Sequence, residues 1–192
     1  PILKYNVTIG FAEDDLPAGT MLHNHNMAFR EFDRDYAFCR DYKPVQMLPE
    51  SERATFEGYL RDDGRAGTRN FIAIVSTVNC SATVVHAIAD YFTEERLADY
   101  PNVDGVAAFS HSTGCGMEMT GEPMDLLNRT LAGYIRPPNV ASALVVGLGC
   151  ERCQVGGLFA AQDLEGNDKL QTLVMQEAGG TRRAIEAGIA MV

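Results

Sequence analysis

Ala143-Leu144-Val145-Val146-Gly147-Leu148-Gly149-Cys150-Glu151 is the stretch whose reading decides the fold. A short apolar run cut by glycine is the pattern of a buried strand that stops abruptly. Glycine lets the chain turn there, and the turn presents a thiol and a carboxylate. The same layout occurs at Phe71-Ile72-Ala73-Ile74-Val75-Ser76-Thr77, which runs into Val78-Asn79-Cys80. It occurs again at Val103-Asp104-Gly105-Val106-Ala107-Ala108-Phe109, which runs into Ser110-His111-Ser112-Thr113-Gly114-Cys115-Gly116. If the strands are parallel neighbours, their polar ends share one edge of the sheet, where open α/β sheets bind ligands. Cys80, His111, Cys115, Cys150 and Glu151 would then converge.

Outward from these strands the order is regular. A helix is expected near 81–97, with Val84, Val85, Ile88 and Phe92 as its apolar stripe. A second is expected near 123–135, carrying Leu127, Leu131 and Ile135 and ended by Pro137-Pro138. A short third follows near 153–162. Leu170-Gln171-Thr172-Leu173-Val174-Met175 reads as a fourth strand, and a last helix starts after Gly179-Gly180-Thr181. About four βα units in series predict an α/β fold, a Rossmann-like parallel sheet with helices on both faces, over 58–192. Arg69-Asn70 precede the first strand, at the edge away from the polar turns, so spacing assigns them a structural role.

The N-terminal residues read differently. Residues 1–26 alternate and turn like β structure and are expected to be the end of a small β module. On a strand His23 and His25 would share a face, and two imidazoles together can chelate a metal; solvated histidines are the simpler reading of the spacing. Residues 27–57 carry Phe29, Phe32, Tyr36, Phe38 and Tyr42 with no clean period, and read as a linker packed over a neighbour.

Composition narrows the partners. A net charge of −10 makes nucleic acid an unfavourable partner, while a local cation still allows a small anionic ligand. No apolar run reaches the roughly 20 residues of a membrane span. Five cysteines, three of them in strand-end turns, read as reduced thiols of a cytoplasmic protein. A nicotinamide or flavin cofactor is not expected, because Gly147-Leu148-Gly149-Cys150-Glu151-Arg152 and Gly114-Cys115-Gly116-Met117-Glu118-Met119 both lack the third glycine of G-x-G-x-x-G. Cys150-Glu151-Arg152-Cys153 is a C-x-x-C that could be redox-active or half a zinc site, though no second C-x-x-C exists.

Several motifs together resemble the altronate/galactarate dehydratase family: Gly58-Tyr59 through Gly67-Thr68-Arg69-Asn70, Thr77-Val78-Asn79-Cys80, Ser110 to Gly116, Arg129-Thr130…Pro138-Asn139, and Val145 to Glu151. Lys4-Tyr5…Ile9-Gly10-Phe11-Ala12 with His23-Asn24-His25-Asn26 resembles the end of the SAF-type β domain that precedes the catalytic region, and the His-x-His matches the altronate branch better. Family members are longer at both ends, so the chain is expected to start inside that β domain and stop after the fourth βα unit. The resemblance implies dehydration of a hexonate or hexarate to a 2-keto-3-deoxy acid with a divalent metal, Fe2+ or else Mn2+. It implies His111, Glu151 and Cys115 as catalytic groups. Arg69, Asn70, Asn79, Ser112, Thr113, Gly114 and Gly149 would bind substrate, and His23, His25, Cys80 and Cys150 would hold the metal. Cys153 is not part of the matched pattern. The alternatives are a sulfo-lyase of the same family, a non-catalytic sugar-acid or metal binder, and a redox protein. A homo-oligomer is compatible with all of them.

Overall fold

The computed structural model describes residues 1–33 and 37–192, so Tyr36 of the expected linker lies outside the described residues. The chain divides into two compact units, Pro1–Arg53 and Ala54–Val192.

In the first unit, β1 (Ile2–Lys4), β2 (Val7–Ala12) and β3 (Met27–Ala28) form an antiparallel sheet in that order. Tyr5 and Asn6 link β1 to β2 with φ of 50° and 62°, the paired left-handed geometry of a two-residue hairpin turn. β3 carries the sheet two residues past the boundary expected at residue 26. The His-x-His stretch is a turn, not a strand. Buried Asn26 organises it: its Oδ1 accepts from the His23 N–H at 2.9 Å, and its Nδ2 donates to the Met21 carbonyl at 3.0 Å. Asparagine bonding nearby backbone favours a turn over an extended run. The imidazoles still lie together, exposed and stacked with centroids 5.9 Å apart. From 29 to 53 the described residues hold one regular element, the 3-10 turn Glu50–Glu52. Phe38, Tyr42, Val45 and Met47 of this stretch are exposed.

The second unit opens with a small hairpin, β4 (Tyr59–Leu60) and β5 (Ala66–Gly67). Then come β6 (Phe71–Ser76), α1 (Ala82–Tyr91), β7 (Gly105–Phe109), α2 (Glu122–Ile135), β8 (Val140–Gly147), α3 (Val155–Ala161), β9 (Leu170–Val174) and α4 (Thr181–Met191). The four later strands form one sheet, all pairs parallel, in the order β7-β6-β8-β9. This is the α/β arrangement the alternating pattern predicts.

Period-two alternation sorts the central strands between two cores. Ala73, Val75, Ala143 and Val145 pack with Met124, Leu127 and Leu131 of α2 and Leu158 of α3. Ile74, Leu144 and Val146 pack with Val84, Val85 and Ile88 of α1 and Ala184 of α4. Val75, Val145 and Val146 are fully buried, each contributing about 1.5–3 kcal/mol of apolar transfer. α1 ends at Tyr91, short of the expected 97. Glu94 and Glu95 would add negative charge at the negative end of the helix dipole. Arg96 instead folds back, donating to the Tyr91 carbonyl at 2.6 Å with its guanidinium over the Tyr91 ring.

The N-terminal edge of the sheet is closed by the β4–β5 hairpin. Arg61 donates to the Pro138 carbonyl at 2.7 Å and to Asn70 Oδ1 at 2.7 Å. Arg65 donates to the Arg136 carbonyl at 2.7 Å, and the Asn139 side chain accepts from the backbone N–H of Thr68 and Arg69. Asn70 donates to the Asn102 carbonyl, and its own N–H bonds Asp104. Arg69 is exposed, its Nε 3.9 Å from Asp104.

Candidate active site

Strand order fixes where a site can form. From β6 the chain proceeds outward to β7, then returns to the other side for β8 and β9. The reversal lies between β6 and β8, and open α/β sheets bind ligands in the crevice outside the C-terminal strand ends at such a point. The loops that meet there carry Thr77-Val78-Asn79-Cys80 and Leu148-Gly149-Cys150-Glu151, with the post-β7 loop 110–116 beside them.

These loops are bonded to one another. The Thr113 carbonyl accepts from the Asn79 N–H at 3.0 Å, and the Gly114 carbonyl accepts from Arg152 and Cys153 at 2.9 and 3.2 Å. Gly114 has φ +90°, and a Cβ there would fall on the Thr77 carbonyl oxygen and lie 2.8 Å from Val78 Cα. Only glycine allows that approach.

Glu151 is buried, 4% exposed, and ties the crevice together. Its Oε1 accepts from Thr77 Oγ1 at 2.9 Å and from the Leu148 N–H at 3.0 Å; its Oε2 accepts from the Gly149 N–H at 2.5 Å. The carboxylate therefore braces the β8 turn against the end of β6. Gly149, expected to touch substrate, has its amide committed to this brace.

His111 is half-buried. Its Nε2 lies 3.0 Å from the Ser76 carbonyl and its Nδ1 accepts from the Thr113 N–H at 3.3 Å. This pairing specifies the neutral ring protonated at Nε2. A small cavity of about 130 Å³, lined by Phe109, Leu127, Leu131 and Tyr134, adjoins the ring. Burial lowers the His111 pKa below its ordinary 6.5, and the Ser76 bond opposes this only in part. The His111 contribution to stability is thus present above the unfolded value and lost as pH falls through the lowered folded value. The urea midpoint is expected to drop as pH goes below about 6.5, and His111→Gln to flatten that drop; an unchanged slope in the variant would refute the assignment.

The thiols divide into two kinds. Cys80, Cys115 and Cys150 are exposed; Cys153 is buried. Cys153 donates to Asn128 Oδ1 at 3.5 Å, and burial, with the nearby Glu151 charge, pushes its pKa up to about 11. At pH 8 roughly one part in a thousand would be thiolate, so Cys153 is the buried, unreactive member of the C-x-x-C. Iodoacetamide at pH 8 should label Cys80, Cys115 and Cys150 and spare Cys153, read by peptide mass spectrometry. Equal labelling of Cys153 would contradict its burial.

Of the residues expected to bind substrate, Asn79, Ser112, Thr113, Gly114 and Gly149 lie in these joined loops. Arg69 and Asn70 lie at the opposite edge of the sheet. A cavity of about 760 Å³ opens there, but its Arg61, Arg65 and Lys169 are already bonded to backbone carbonyls or to carboxylates. Two further polar contacts at the crevice end are not marked by motif spacing: His86 Nε2 lies 3.0 Å from Ser110 Oγ, and Gln176 Nε2 donates to Cys150 Sγ at 3.3 Å. Gln176 directly follows an apolar strand, which is the one sequence signal it carries. Among the described residues no three His, Cys, Asp or Glu side chains are grouped to hold a metal ion. Of the expected set, His23 and His25 belong to the first unit and Cys80 and Cys150 to the second.

The fold defines a parallel α/β domain with polar, thiol-bearing loops where its strand order reverses. Residues 58–192 match the model of the D-galactarate dehydratase/altronate hydrolase second domain, and the chain belongs to that family. It is 31% identical to the altronate dehydratase of Bacillus subtilis, over 100% of this chain and 37% of the relative. It is 32% identical to the galactarate dehydratase (L-threo-forming) of Escherichia coli, over 92% of this chain and 33% of the relative. A shorter likeness, 33% over 52% of the chain and 22% of the relative, is to the (2R)-sulfolactate sulfo-lyase subunit beta of Chromohalobacter salexigens. The chain thus spans about a third of the length of the curated dehydratases it matches. No helix among the described residues is long and apolar enough to cross a membrane.

Proposed function

We propose that the protein to which this chain belongs is a hydro-lyase that removes water from a hexonate or hexarate, giving a 2-keto-3-deoxy acid. The observation that carries the reading is the bonding of three strand-end loops to one another, with His111 bonded to the end of β6, in a chain of the dehydratase family. Dehydration next to a carboxylate needs a base for the C2 proton and an acid for the departing C3 hydroxyl. Held neutral by burial, His111 is in the form a base requires, and the long 3.3 Å bond at Nδ1 is the one a substrate proton would replace. Asn79, Ser112, Thr113 and Gly114 supply small polar surface against a polyol chain, and Cys115 lies on the same loop. Glu151 acts by bracing. Arg69 and Asn70 act by holding the far edge.

A divalent metal, Fe2+ or Mn2+, would supply electrophilic stabilisation of the carbanion. It would need donors beyond those this crevice groups together. A soluble, cytoplasmic enzyme with a small-molecule substrate and no nucleic-acid partner completes the reading.

The test is the full-length protein, purified without oxygen, supplied with iron(II) or manganese(II) and offered a panel of hexonates and hexarates. Turnover of one acid that falls at least about a hundredfold in His111→Ala is the expected result. No turnover on any sugar acid, with release of sulfite from sulfolactate, would replace the reading with that of the sulfo-lyase relative. Neither activity, with metal or a sugar acid bound, would leave a binding protein.

A further inference from the structure

Gln176 lies two residues past the end of β9 and belongs to none of the motifs that marked the site. Three contacts fix it against the β8 turn. Its backbone N–H donates to the Leu148 carbonyl at 3.0 Å, next to the Met175–Gly147 bond at 2.9 Å. Its side chain lies across Gly149, where a Cβ would be 2.5 Å from Gln176 Oε1. Its Nε2 then donates to Cys150 Sγ at 3.3 Å. The bare face of Gly149 and the amide of Gln176 thus fit together, with the Cys150 sulfur at the end of the contact.

We propose that Gln176 is a positioning residue of the crevice, which reaches across Gly149 to hold the Cys150 thiol in place. It brings the β9 loop into the site as a fourth contributor. It also gives Gly149 a reason to be glycine beyond its φ of +123°, because any side chain would displace Gln176. The use made of the thiol rests on the dehydratase reading; its placement does not.

The experiment follows from that separation. The full-length protein is alkylated with iodoacetamide at one fixed pH, and the Cys150 rate is expressed relative to Cys80 and Cys115 of the same molecule. Gln176→Leu keeps the bulk over Gly149 and removes the donor. Its Cys150 ratio is expected to fall about fivefold, the scale of one lost hydrogen bond. Gln176→Glu keeps the length but offers no N–H and adds a charge beside the sulfur, and should fall further. Gly149→Ala, which evicts Gln176, should behave like Gln176→Leu. A ratio within about twofold of wild type in both Gln176 variants overturns the proposal, since a purely structural glutamine would alter the melting temperature without singling out one thiol. An active enzyme with that unchanged ratio would refute Gln176 alone. An inactive enzyme with the expected ratio would refute the dehydratase reading alone.

Discussion

Gly114→Ala is expected to lower the unfolding free energy by about 3 kcal/mol or more, from left-handed strain together with a backbone collision. Gly114 has φ +90°, which an alanine adopts only at a cost, and the added methyl has no space. It would meet the carbonyl of Thr77 and the Cα of Val78, both main-chain atoms held by the sheet, so no side chain can swing away to relieve the contact. Gly116 provides the control within the same loop. Its φ is +68°, but nothing lies within 4 Å of the place a methyl would take, so Gly116→Ala carries strain alone, about 1–2 kcal/mol. Urea unfolding of the two variants side by side measures the difference. Equal midpoints would mean that the loop does not press against the turn that follows β6.

Glu151→Ala is the second large effect, about 4 kcal/mol, because it strands one buried and two part-buried donors that the carboxylate had satisfied. The Thr77 hydroxyl and the Leu148 and Gly149 amides all end on this carboxylate. Glu151→Gln separates charge from shape. Its Oε1 can still accept from Thr77 and Leu148, but its amide N–H would face the Gly149 N–H, donor against donor, for a loss of about 2 kcal/mol. Thr77→Val, removing one donor and one bond together, should lose less than either. Hydrogen exchange at Leu148 and Gly149 provides a second reading, since both amides should lose protection in Glu151→Ala. Full protection there would show that the amides do not depend on the carboxylate.

Much of the second unit is legible in the sequence because its signals are local. Ile72-Ala73-Ile74-Val75 and Leu144-Val145-Val146 announce buried strands by hydrophobicity alone, and the stripe of Val84, Val85 and Ile88 buries as its spacing predicts. The strand order β7-β6-β8-β9 is not legible, because no residue pattern states which strand lies beside which. The cysteine-bearing turns read as neighbours, and their loops are hydrogen-bonded together. Two chemical details escape the sequence for the same reason. Glu151 reads as a catalytic group, and the three donors that end on its carboxylate, two of them backbone groups, are not marked in the sequence. Gln176 touches Cys150, a residue 26 positions away, through tertiary structure alone. At the N-terminus, spacing places His23 and His25 on a strand face, whereas a turn organised by Asn26 stacks them.

The Thr113–Gly114 segment presents two successive carbonyls, one bonded to Asn79 and the other to Arg152 and Cys153. A loop that swings outward alone must strip these acceptors from the other two, so individual excursions are penalised and concerted ones are not. Fluctuation at the mouth of the crevice is therefore all-or-none. The amides of Asn79, Arg152 and Cys153 should exchange with solvent through one common opening event despite their distance in sequence. Changes made in one of these loops will also be felt in the others, so their effects on stability will not add.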